Sequence, residues 1–169
     1  MNTALSKSRF KQGLECPNKL YFSNSKEVYL NKKNEDSFLQ ALASGGFQIE
    51  EYARLQYPEG ILIDDPEDRK DYDYQDLADQ TTALLQRENV VIFEAAFYID
   101  HLFIRTDLLV KKGNQIKLIE VKAKSIDPRK EDNFLTKKKS KIVSGWKPYL
   151  FDLAFQTYVA QKCLPNCKI

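Results

Sequence analysis

The spacing of apolar residues divides the chain into helical stretches, a strand-rich centre and a closing helix. Residues 6–14 read as a short helix with Ser6 as its N-cap. Cys16-Pro17 interrupts it, and residues 19–22 continue as an apolar patch. A second helix is expected from Asn34 or Asp36, with Phe38, Leu39, Leu42 and Ala43 on one face, and Gly45-Gly46 is expected to break it. A third follows over 47–56, where Phe47, Ile49, Tyr52, Ala53 and Gln56 form an amphipathic face. Pro58-Glu59-Gly60 ends that helix, 64–73 reads as a surface loop, and Leu77, Ala78, Thr81, Leu84 and Leu85 mark another helix over 74–87.

The period then shortens. Residues 90–98 (VVIFEAAFY), 102–111 (LFIRTDLLVK) and 115–122 (QIKLIEVK) are β-rich runs, with Asp100-His101 and Gly113-Asn114 at the turns between them. They read as an antiparallel meander. Residues 124–147 mix loop and short helix, and 148–162 close the chain as a helix with Pro148 in its first turn. Helices, three strands and a helix give one α/β domain. Its expected core is a small central mixed sheet with an antiparallel meander, flanked by helices.

Composition narrows the class. The 169 residues are 43% hydrophobic and 30% charged, as in an ordinary soluble domain. No apolar run approaches the roughly 18 residues of a membrane span, and the N-terminus has no apolar stretch of signal-peptide length. A cytoplasmic protein is the expectation. Net charge is only +2, but 59–79 is acidic and 111–147 is basic. Such asymmetry suits a face set against a polyanion, and equally two unrelated solvated surfaces.

The chemistry concentrates in the second and third β runs. Asp107 lies among Phe103, Ile104, Leu108, Leu109 and Val110, while Glu120 and Lys122 stand two apart in IKLIEVKAK. Alternation puts Glu120 and Lys122 on one strand face, within reach of Asp107 on the next strand. Charges in apolar strands are costly unless paired or bound. Two carboxylates can ligate Mg²⁺ or Mn²⁺, and the metal would activate water and offset phosphoryl charge. The lysine can orient or deprotonate that water. The main-chain carbonyl of Val121 is a further candidate ligand. A plain cross-strand salt bridge is the competing reading.

The arrangement Asp107-x₁₂-Glu120-Val121-Lys122 resembles motifs II and III of the PD-(D/E)XK nuclease superfamily, in particular its RecB-like branch. LSKSRFKQGLECPNKLYF resembles the opening of those domains, GFQIEEYAR their motif I helix, and FDLAFQTYVAQ their C-terminal Q-x-x-x-Y helix. The resemblance spans 5–162 and implies a restriction-endonuclease-like core. It extends to a family in which such a domain begins a longer polypeptide with additional domains.

The resemblance implies Glu51, Asp107 and Glu120 as metal ligands and Lys122 as the catalytic lysine. Gln156 would hold substrate or position Lys122, with Lys124 and Tyr158 as further substrate contacts. Tyr158 stands two residues after Gln156, and Ala160 occupies the motif's tyrosine position. Glu50 competes with Glu51, since only one can face the sheet. Glu94 is an additional candidate site carboxylate, or a partner of Arg105.

The activity implied is metal-dependent, exonuclease-like hydrolysis of DNA without sequence specificity, in repair, recombination or defence. The alternative is a catalytically decayed module that binds nucleic acid or a partner protein. Lysines with Trp146 and Tyr149 in KKKSKIVSGWKPY suit phosphates and stacked bases, or a solvated loop. Some RecB-like nucleases hold an iron–sulfur cluster through four cysteines. Cys16, Cys163 and Cys167 match the placement one ligand short, with C-x₃-C in place of C-x₂-C, so packed thiols are the expectation. His101, the one histidine, is expected at a surface turn.

Overall fold

The computed structural model describes residues 4–23, 37–63, 73–129, 133–136, 138 and 140–169, and at 38–44 the backbone alone. In chain order the elements are β1 (Leu5–Ser6), α1 (Lys7–Glu15), α2 (Pro17–Phe22), α3 (Ser37–Arg54), β2 (Ile61–Leu62), α4 (Tyr74–Leu84), β3 (Asn89–Ile99), β4 (Leu102–Lys112), β5 (Gln115–Ile119) and α5 (Lys147–Cys163). A 3₁₀ turn over Ser144–Trp146 leads into α5. The fold is α/β: a mixed five-stranded open sheet flanked by helices.

Ser6 caps α1 by accepting the Arg9 N–H, and Cys16-Pro17 separates α1 from α2. Asp73 caps α4 in the same way, accepting from Gln75 and Asp76. The Gly45-Gly46 break does not occur, because α3 runs through both glycines as one helix. A helical glycine costs only about 1 kcal/mol relative to alanine, which a continuous hydrogen-bond ladder outweighs. The expected helix start at Asn34 or Asp36 and the loop over 64–72 lie outside the described residues.

β3, β4 and β5 form the meander. The first turn carries Asp100 and His101 at φ 50° and 62°, and the second has Gly113 at φ 55°. Both are two-residue hairpins of the kind that need left-handed residues. β2 adds parallel to β3, pairing Ile61 with Ile92. β1 adds parallel to β4, pairing Leu5 with Leu102 and Ser6 with Phe103.

Two short strands therefore share one edge of β4. β1 covers its beginning, and β5 covers Leu108 to Lys112. Among the described residues no strand pairs with the edge over 104–107 between them. The chain segments leaving β1 and β5 converge on that gap.

The larger core joins Ile92, Phe97, Ile104 and Leu109 of the sheet to Leu77 of α4 and Phe155, Val159 and Ala160 of α5. Phe10 of α1 stacks on Phe155 with ring centroids 4.4 Å apart. Thr81 accepts the Ala96 N–H at 2.8 Å, tying α4 to β3. On the other sheet face Val91, Phe93 and Leu108 form a smaller cluster with Ala53, Tyr57 and Val121. No described helix is long and apolar enough to cross a membrane.

Candidate functional site

Asp107 faces the gap in the β4 edge and is 8% exposed. By register it stands between Glu94 and Glu120, because β3 pairs Phe93 with Leu108 and Ala95 with Thr106, while β5 pairs Ile119 with Leu108. Three carboxylates thus fall in one row across the meander. Like charges directly opposite repel, and the backbone departs from regular strand geometry on both sides of Asp107.

On one side Glu94 adopts φ 56°, a left-handed conformation that costs a non-glycine residue on the order of 1 kcal/mol or more. Its carboxylate meets Arg54 at 2.9 Å and Arg105 at 3.3 Å. On the other side β5 ends at Ile119 rather than continuing to Lys122 as expected. The reason is local: Asp107 Oδ2 accepts the Val121 N–H at 2.6 Å, taking that donor away from the strand ladder. Val121 thus meets Asp107 through its amide, and its side chain joins the smaller apolar cluster.

Glu120 is held by three side chains. Lys7 donates to both of its oxygens, at 3.1 and 3.2 Å, and Gln156 Nε2 donates to Oε2 at 2.7 Å. Lys122 donates to Oε1 and lies 3.9 Å from Asp107 Oδ2. Lys7 Nζ also lies 3.6 Å from Asp107 Oδ1. The expected trio of Asp107, Glu120 and Lys122 is therefore together, with a second lysine between the two acids.

Behind Glu120 stands Asp152 of α5, wholly buried, which accepts from Gln156 at 3.3 Å and pairs with Lys11 at 3.4 Å. Lys7 and Lys11 are one helical turn apart on α1, as Asp152 and Gln156 are on α5. Two helices thus bring two cations and an amide to two buried carboxylates.

The environments separate the acids. Burial pushes the Asp107 carboxyl above the ordinary range, and the neighbouring Glu120 charge adds to the rise against the pull of Lys7. Burial acts the same way on Glu120, but Lys7, Lys122 and Gln156 outweigh it and hold that carboxyl below the ordinary range. Asp152 is raised, by burial and then by Glu120. Burial alone would lower the Lys7 ammonium, yet Glu120, Asp107 and Asp152 together hold it above its ordinary value. Adjacent acids pushed in opposite directions suit different protonation roles.

Glu51 does not face the sheet: it is exposed and pairs with Arg54 at 3.2 Å. Glu50 is the half-buried neighbour, its carboxyl raised by burial and then by Asp107 and Glu94. A rotation of 100° per residue separates the two. Gln156 is 1% exposed, and its Nε2 donates to Glu120 and Asp152. Tyr158, 200° further round α5, is 55% exposed and lies beside Lys162. Lys124 donates to the Gly145 carbonyl at 2.9 Å and sits over the Trp146 and Tyr149 rings, 4.2 and 4.7 Å from their centroids. Glu94 takes the arginine pairing that was its alternative.

Lys7, Lys11 and Asp152 were missed. Asp152 and Gln156 had left a signal: two polar residues at i,i+4 on the same helix as Phe155 and Val159. The cysteines are free, and Cys163 and Cys167 pack against the larger core. Burial pushes the Cys163 thiol up, away from thiolate chemistry. Among the described residues no group of three or more His, Cys, Asp or Glu is arranged to hold a metal ion. No protein-family model, curated protein or solved structure matches the chain.

Proposed function

We propose that the chain is a divalent-metal-dependent deoxyribonuclease of the PD-(D/E)XK type, hydrolysing phosphodiester bonds without sequence preference. The convergence of Asp107, Glu120 and Lys122 at the stretch of the β4 edge between β1 and β5 carries this reading. The donor set fits a hard cation: both carboxylates contact one ammonium, Lys7, so their oxygens already converge on a single positive charge. Magnesium is often held by only one or two carboxylates, with water and substrate phosphate filling the other positions.

Bound to Asp107 and Glu120, Mg²⁺ or Mn²⁺ would supply an activated water and charge for the phosphoryl oxygens. The protein's own groups do the rest. Lys122, beside both acids, is placed to hold the attacking oxygen or to neutralise a phosphate oxygen. Gln156 fixes the Glu120 carboxylate from the buried side. Lys7 and Lys122 are ammonium groups beside the acids that could turn to an incoming phosphate.

A second reading has its own support. Each Glu120 oxygen already has two donors, and no third carboxylate joins the pair in a ligand group among the described residues. That saturation suits a nuclease-fold module that has lost catalysis and binds nucleic acid or a partner domain. One assay separates the two: the protein is incubated with linear, circular and single-stranded DNA and Mn²⁺, with Lys122→Ala as control. Cleavage lost in the control supports the enzyme. DNA retention without cleavage favours the module, and cleavage that survives Lys122→Ala refutes the assigned site.

A further inference from the structure

Among the described residues Asp107 and Glu120 already face two ammonium groups, Lys7 and Lys122, before any metal is considered. A divalent cation added to such a set meets repulsion unless a resident cation leaves. Arg54 and Arg105 serve Glu94, and Lys11 serves Asp152. Lys7 is the cation that contacts both oxygens of Glu120 and an oxygen of Asp107.

Its attachment also allows it to leave. Lys7 is the first residue of α1, and α1 is anchored further along by the Phe10–Phe155 stack and the Lys11–Asp152 pair. The Lys7 side chain can swing on its own flexible stem while the helix stays docked. Lys122 is two residues from Glu120 on the same strand end, so it keeps its place beside the acid whatever happens to α1.

We propose that Lys7 is a built-in counter-ion occupying the cation position between Asp107 and Glu120, which a divalent metal must displace, so that Lys7 sets the metal affinity of the site. This rests on the metal-site reading above. Lys7 holds the two acids together in the metal-free protein and raises the metal concentration needed to fill the site. Once displaced, its ammonium remains next to the carboxylates, where an incoming phosphodiester would give it a new anionic partner.

The test is Mn²⁺ binding to the full chain, followed by the electron paramagnetic resonance of the free ion, without any cleavage assay. Removing one like charge within 4 Å of the incoming cation is expected to tighten binding at least about tenfold in Lys7→Met. Lys7→Gln, which removes the charge but keeps a donor, should tighten it in the same direction. Lys11→Met, whose partner is Asp152, should stay within about twofold of the parent. Thermal melting gives a second readout. Lys7→Met should melt lower than the parent without metal, and Mn²⁺ should raise its Tm by more than it raises the parent's.

Equal affinities in the parent and both Lys7 variants overturn the counter-ion assignment and leave the metal site standing. Tightening in Lys122→Met but not in Lys7→Met overturns it in favour of Lys122. Absence of binding by every variant at millimolar Mn²⁺ overturns the metal site itself, and the counter-ion role with it.

Discussion

Gln156→Leu tests how the buried side of the site is held. The side chain is 1% exposed, and its Nε2 donates to Glu120 Oε2 at 2.7 Å and to Asp152 Oδ1 at 3.3 Å. Leucine has similar volume and no donor, so the substitution removes two hydrogen bonds without opening a large cavity. The short, charge-assisted bond to Glu120 is worth about 1.5–3 kcal/mol, and the longer one to Asp152 about 0.5–1 kcal/mol. Better burial of the leucine methyls returns roughly 1 kcal/mol. The expected net loss is therefore about 2 kcal/mol, or a fall in Tm of roughly 4–8 °C for a chain of this size. Urea unfolding of the parent and variant measures it. The Glu120→Gln background then isolates the coupling: there, Gln156→Leu should cost about 1 kcal/mol or less. A loss under about 0.5 kcal/mol in the parent, or an equal loss in both backgrounds, would refute the role of Gln156 as the support of Glu120.

Three further outcomes are expected. The Asp152 carboxyl is raised by burial and by Glu120, so the folded state keeps its proton to higher pH than the unfolded chain does. Its contribution to stability is then most favourable in acid and is lost as pH rises through the window from the ordinary carboxylate value to the raised one. The stability of the parent minus that of Asp152→Asn should fall across this window, and a difference that grows with pH would contradict the assignment. In Gly60→Ala the new methyl would run into the Phe93 ring, over which Arg54 sits 5.6 Å from the centroid. A loss of about 2 kcal/mol or more in denaturant unfolding is expected, and a neutral result would mean that this contact yields freely. His101 holds φ 62° at an exposed hairpin turn, so His101→Gly should stabilise by roughly 0.5 kcal/mol and leave any metal or DNA binding unchanged. A loss of binding there would bring the histidine into the site.

Legibility followed the range of the interactions. The meander could be read because its causes are local: alternating apolar residues, and the dipeptides Asp100-His101 and Gly113-Asn114 at the turns. Asp107, Glu120 and Lys122 could be placed together because strands joined by a tight turn have one register. The Glu50–Glu51 choice could not be read from periodicity, because Phe47, Ile49 and Tyr52 of α3 and Leu55 just after it are all exposed and mark no buried face. The early end of β5 was hidden for another reason. A β-rich run does not reveal that Asp107 will capture the Val121 N–H, and only the register of both hairpins shows that Glu94, Asp107 and Glu120 share a row.

Lys7 was the hardest residue to foresee, and the reason bears on the site itself. Its position depends on β1, two residues long, pairing with a strand almost a hundred positions away. Nothing in LSKSRF announces that pairing. That pairing sets where α1 begins, and the Phe10–Phe155 stack and the Lys11–Asp152 pair hold its next turn, so Lys7 meets Glu120 just beyond β5 and Lys11 meets Asp152 of α5. The meander supplies the carboxylates, and the first turn of α1 supplies a cation that lets two of them stand side by side. Lys7 shares Glu120 with Lys122 and Gln156 and reaches Asp107 as well, so the chain's first described elements stand beside these acids as closely as the motif-bearing strands do.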